Sequence, residues 1–73
     1  MSKESSNLLK GFGKKVREER TKLGVSQEEL GFQTGLDRTY ISGIERGERN
    51  PSLRNVGKIA QALKVKLPEL FDF

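Results

Sequence analysis

The apolar residues of this chain fall at helical rather than strand-like spacing. Leu8, Phe12, Val16 and Leu23 recur with Lys14, Lys15, Arg17, Glu18 and Glu19 on the other faces, the stripe of an amphipathic helix. This predicts a first helix over about residues 7–23, ended by Gly24. Gly11 and Gly13 sit in its early turns, each costing about 1 kcal/mol relative to alanine, so a later start or a bend is expected there. Residues 1–6 are polar and small and are expected to form a flexible N-terminus, leaving 7–73 as a single domain. Ser26 then stands three residues before Glu29, the capping-box pattern, and predicts a second helix over Gln27–Thr34. Gly35 ends it by supplying a positive φ. Asp37 caps a third helix over about residues 38–46, which Gly47 closes. Residues 47–51, GERNP, read as a charged turn, and Ser52 caps a fourth helix with Leu53, Val56, Ile59, Ala60 and Leu63 in one apolar stripe. Residues 64–66 connect to a short last helix, Leu67–Phe71, with Pro68 tolerated in its first turn. With no strand-like alternation, repeat or low-complexity tract, the expected fold class is all-α, five helices compacted around one small core.

Composition narrows the function more than the fold. Seventy-three residues suffice for one domain. A chain this short buries only about 60% of its unfolded surface, so stability is modest unless oligomerisation adds to it. The absence of cysteine removes disulfides, thiolate metal sites and cysteine nucleophiles. The absence of histidine removes the usual general base and the commonest metal ligand. No catalytic constellation is left to support an enzyme, and no metal or other cofactor is expected. A net charge of +4 and a pI near 9.7 favour an anionic partner without identifying it. No apolar run approaches the roughly 20 residues that span a bilayer. The start, MSKESSNLLK, lacks the apolar stretch of a secretory signal. A soluble, cytoplasmic protein with no membrane partner is expected.

The segment from Gln27 to Arg46, QEELGFQTGLDRTYISGIER, carries the chemistry. Two short helices meet at a glycine turn, with Leu30, Ile41 and Ile44 apolar, Gly31 small at the close approach, and Leu36 placed to plug the junction. Those are the requirements of a helix-turn-helix, whose second helix enters the major groove of DNA. With Ile41 and Ile44 turned to the core, Arg38, Thr39, Ser42 and Gly43 share the opposite arc. Arginine can bind guanine O6 and N7 together, and threonine can offer a hydroxyl or pack its methyl on thymine. Gly43, with no side chain, is expected to let the helix sit deep in the groove. A capped, solvated surface helix would present the same arc. Arg46, Arg49, Asn50 and Arg54 cluster just after this helix, where they can hold backbone phosphates without reading sequence. Arg46 would equally suit a helix end as a solvated cation. Lys14 and Arg17 add diffuse attraction or are plain surface. Leu67, Leu70, Phe71 and Phe73 are too many apolar groups for one closing turn, and either finish the core or form a two-fold interface.

Three stretches in order, VREERTKLGVSQEELGFQTGL, DRTYISGIERGERNPSL and IAQALKVKLPELF, resemble the Cro/repressor-type, lambda-repressor-like helix-turn-helix family over residues 12–71. Within it, DRTYISGIERG followed by RNPS is most similar to the controller proteins of restriction-modification systems. The resemblance implies that Arg38, Thr39 and Ser42 read bases, with Tyr40 beside them touching DNA or covering the core rim. It implies that Gln27 hydrogen-bonds a phosphate and braces the recognition helix, where free N–H groups at the helix start add to an anion site. It implies an ion pair between Arg20 and Glu45 that ties this helix to the scaffold. It further implies a homodimer, with Leu67, Leu70, Phe71 and Phe73 supplying its two-fold interface, on a pseudo-palindromic double-stranded DNA operator, and RNA polymerase as a further candidate partner. A phage-type repressor, the antitoxin of a toxin–antitoxin pair, or an interaction module that has lost DNA binding would share the pattern. Gly31 replaces the usual alanine, which preserves close packing and loosens the second helix. Lys64 and Lys66 replace a common glycine and serine cap, so strain is expected before the last helix.

Overall fold

The computed structural model describes residues 2–73. Four α-helices follow one another, α1 (Lys3–Leu23), α2 (Gln27–Thr34), α3 (Arg38–Glu45) and α4 (Leu53–Leu63), before a closing 3-10 helix at Leu67–Phe71. The all-α class and the number of helical elements match expectation, with the last element wound more tightly than an α-helix.

Sequence chemistry accounts for the boundaries. Ser26 Oγ accepts from Glu29 N at 3.0 Å, Asp37 Oδ1 from Thr39 N at 2.7 Å, and Ser52 Oγ from Asn55 N at 3.1 Å. Each satisfies a helix-start N–H that would otherwise lack a partner. Gly35 ends α2 at φ 75°, a conformation that places a Cβ too close to the following carbonyl in other residues. At α4 the left-handed position falls to Lys64 at φ 60°, so the bend before the closing helix does carry backbone strain.

The first helix departs from expectation at its start. It begins at Lys3 rather than near residue 7, because Ser2 Oγ caps Ser5 N at 3.1 Å and Glu4 lies in the first turn, favourably placed in the helix dipole. Of the six residues expected to be flexible, Met1 lies outside the described residues. The inward stripe is Leu9, Phe12, Gly13 and Val16, while Leu8 and Leu23 are exposed. Gly13, expected to weaken the helix, has a packing role: a Cβ there would run into the carbonyl oxygens of Ile44 and Glu45. At this glycine α1 crosses the end of α3.

Phe12, Val16, Leu30, Ile41, Ile44, Val56, Ile59, Ala60, Leu63 and Leu70 form one core, with Val25, Leu36 and Tyr40 packed against it. Two further surface and core assignments are reversed. Leu53, placed on the α4 stripe, is 72% exposed, because the first residue of α4 projects past the core edge. Leu70, placed in a dimer interface, is 0% exposed and belongs to the core of the single chain.

Candidate nucleic-acid interface

The glycine turn sets α3 against α2 so that Ile41 and Ile44 point inward, which leaves one polar arc of the helix on the outer side. Arg38, Thr39 and Ser42 occupy that arc, joined by Arg46, which caps α3 in a helix-like conformation. These four side chains and Gln27 line one open depression of about 240 Å³. Five of the residues singled out in the sequence are therefore brought to one place.

Beneath the depression lies a charged knot. Glu45, with its side chain only 3% exposed, receives Arg20 Nε at 2.7 Å on Oε2 and Arg20 Nη2 at 3.0 Å on Oε1. Gln27 Nε2 donates to the same Oε1 at 3.0 Å, and Arg20 Nη1 donates to the Val25 carbonyl at 2.9 Å. The bidentate fork joins the C-terminal parts of α1 and α3, and the glutamine ties in the start of α2. The hydrogen bond to Glu45 raises the Arg20 pKa above its ordinary value, against an opposing effect of burial and with help from the carboxylate charge. A raised pKa means that the stabilisation is complete below the ordinary arginine range and lost only above it, so alkaline buffers leave Arg20 charged. A carboxylate only accepts, so Gln27 must turn its amide nitrogen toward Glu45. The Gln27 carbonyl oxygen and a second N–H hydrogen remain for a partner from outside.

The other candidates are distributed around this centre. Tyr40 is half-buried at the rim, and its hydroxyl accepts from Asn55 Nδ2 at 3.2 Å, which braces it on the first turn of α4. Asn55 gave little signal in the sequence, only a polar residue beside the apolar stripe. Arg46 folds onto Ser42 Oγ and pairs with Glu48 at 3.1 Å, an exposed contact worth little that another anion can replace. Arg49 and Asn50 lie on the turn after α3, and Arg54 is exposed in the first turn of α4. Gly43, expected to lie bare in the groove, is buried instead, because the Arg49 side chain covers it.

On another face, Leu8, Leu9, Phe12, Asn50, Pro51, Leu53, Val56 and Phe71 line an apolar groove of about 200 Å³. Phe12 and Phe71 stack there with ring centroids 5.5 Å apart. Leu67, Phe71 and Phe73 are partly exposed, unlike Leu70.

The sequence model of the helix-turn-helix family matches residues 16–70, the span from the middle of α1 to the sealed leucine of the closing helix. The chain belongs to the helix-turn-helix family. Among helix-turn-helix relatives, it is 51% identical over 70 residues to Control protein C.BamHI of Bacillus amyloliquefaciens, covering 94% of this chain and 86% of that one. It is 53% identical over 59 residues to Control protein C.MunI of a Mycoplasma species, covering 81% and 77%. Its fold is similar to the crystal structure of the restriction-modification controller protein C.AhdI from Aeromonas hydrophila, with a TM-score of 0.85 and 54% identity over 86% of this chain and 96% of that one. No helix among the described residues of this helix-turn-helix chain is long and apolar enough to cross a membrane.

Proposed function

We propose that this chain is a sequence-specific DNA-binding transcription regulator that acts as a homodimer on a pseudo-palindromic operator and controls a restriction-modification system. The observation that carries the DNA-reading head is the depression lined by Gln27, Arg38, Thr39, Ser42 and Arg46, clamped from below by Arg20 and Glu45. Donors and hydroxyls converge there on the one arc of α3 that the core does not claim. Arg38 and Thr39 stand at the start of α3, where a recognition helix meets base edges. Tyr40 flanks them, and its hydroxyl keeps its own proton for a sugar or phosphate oxygen. Gln27, Arg46, Arg49 and Asn50 hold the backbone on either side. The likeness to C.BamHI, C.MunI and C.AhdI supports the restriction-modification role.

Exposure supports one reading of the dimer face. Leu53, Phe71 and Leu8 ring the apolar groove, with Phe73 beside them over Gly11 and Leu67 on the same closing helix. Two heads one helical turn apart require each α3 to sit about 17 Å from the two-fold axis, within reach of a body measuring 31 × 23 × 20 Å. A regulator on such an operator works in the cytoplasm and meets RNA polymerase at the promoter.

Selection of bound sequences from random duplex DNA tests the proposal. Wild type should return a pseudo-palindrome, with log K falling linearly as log salt rises. Arg38→Ala should cost about 1–3 kcal/mol and relax base preference at one position of each half-site. If no duplex is enriched, the chain is not a DNA reader. An unchanged selected site in the variant removes Arg38 from the base-reading set.

A further inference from the structure

We infer that Gly43 is a positioning residue for DNA binding: it is the bare seat on the outer arc of α3 that holds Arg49 along the recognition helix and aims its guanidinium at a phosphate flanking the reading arc. The inference rests on the DNA-binding proposal above, and goes beyond it in assigning a role to a residue with no side chain.

Gly43 lies one helical turn after Thr39, on the side of α3 away from Ile41 and Ile44. Solvent should reach it, yet it is buried. A Cβ built there would stand 2.6 Å from Arg49 Cγ, 3.4 Å from Nε and 3.5 Å from Cδ. Three successive atoms of the arginine so close to one point mean that the stem lies flat across the glycine. The backbone enforces this placement. Glu48 N and Arg49 N both donate to the Gly43 carbonyl, at 2.9 and 3.3 Å, so the turn after α3 folds back over the glycine itself. Among the described residues no carboxylate pairs with Arg49, and its neighbour Glu48 is engaged by Arg46. The result is a cation with a fixed stem and an uncommitted head.

Fixing that stem matters because a free arginine loses much rotamer freedom when it closes on a phosphate. A seat that orders it beforehand lowers the cost of binding. The atoms nearest to an added methyl at Gly43 all belong to the Arg49 side chain and none to backbone, so the arginine stem must turn away while the helix stays. Alanine is also the better helix former at this interior position. Gly43→Ala should therefore strengthen the helix and weaken the grip on DNA, an opposition of sign that a purely structural glycine does not predict.

The test uses the full chain and the duplex selected by wild type, with binding titrated across a salt series for wild type, Gly43→Ala, Arg49→Ala and the double variant. Gly43→Ala is expected to melt at or above the wild-type temperature. It should lose roughly tenfold in affinity, the scale of one charge-assisted contact. The salt slope should fall by about 0.9 per reading head. In the Arg49→Ala background the glycine substitution should change affinity no further. Wild-type affinity and slope in Gly43→Ala would overturn the inference. So would an equal loss in the Arg49→Ala background, since the groove fit of α3 itself would then be at fault. Failure of wild type to select any duplex would instead sink the DNA-binding proposal, and this inference with it.

Discussion

Glu45 is a residue whose work is done out of sight of any partner. Its carboxylate, 3% exposed, takes two bonds from Arg20 and one from Gln27, so a charge otherwise costly to bury is fully spoken for. Replacing the arginine by an apolar residue of similar reach leaves that charge with a single amide donor. Arg20→Met is expected to cost about 3–5 kcal/mol, a large share of the stability of a domain this size. Thermal melting should register a fall of tens of degrees, or no cooperative transition at all. Arg20→Met combined with Glu45→Leu should recover much of the loss, because no orphaned charge remains. A single variant that melts within a few degrees of wild type would show that the pair contributes little. Gln27 depends on the same carboxylate, so its amide should lose its fixed orientation when Glu45 is removed.

At the level of elements, local signals were the ones most readable from sequence. Ser26, Asp37 and Ser52 announce three helix starts, and each side chain makes its capping bond. The span of α2 followed directly from its cap and from Gly35. Contacts between distant segments were harder to read. Leu8 and Leu9 satisfy helical spacing almost equally, and only the tertiary fold selects Leu9 for the interior. Gly13 and Gly43 look like helix weaknesses until α1 is laid across α3 and the Arg49 stem over Gly43. Much of the candidate site was legible because its side chains sit on one short helix; Asn55 was not, because its partner Tyr40 is brought near only by the tertiary fold. The same substitution at two glycines makes the distinction measurable. Gly57 has open space where a methyl group would stand, so Gly57→Ala should stabilise α4 by about 1 kcal/mol. At Gly13 the obstacle is the backbone of Ile44 and Glu45, which cannot swing aside. Gly13→Ala should destabilise by about 1–3 kcal/mol in spite of its better helix propensity. Denaturant midpoints moving in opposite directions would support the crossing; a stabilising Gly13→Ala would contradict it.

For the molecule as a whole, the closing helix divides its apolar residues between two tasks. Leu70 completes the core, whereas Phe71, Phe73 and Leu67 keep part of their surface in water, Phe71 in the groove it shares with the exposed Leu53 and Leu8. A monomer gains nothing from so much apolar surface around one groove, and a second copy related by a two-fold axis would cover it on both sides at once. Substitutions on the two sets should therefore fail differently. Leu53→Glu places a charge on a residue 72% exposed, and its effect on the melting of an isolated chain should stay within about 0.5 kcal/mol. In the proposed assembly it brings two carboxylates toward the axis and removes apolar contact. Sedimentation should then report a monomer, and operator binding should weaken because the second head no longer arrives tethered to the first. Leu70→Ala empties a core position instead, at about 2–5 kcal/mol, so unfolding and loss of dimer should appear together. A Leu53→Glu protein that remains dimeric with undiminished operator affinity would place the two-fold contact elsewhere on the surface.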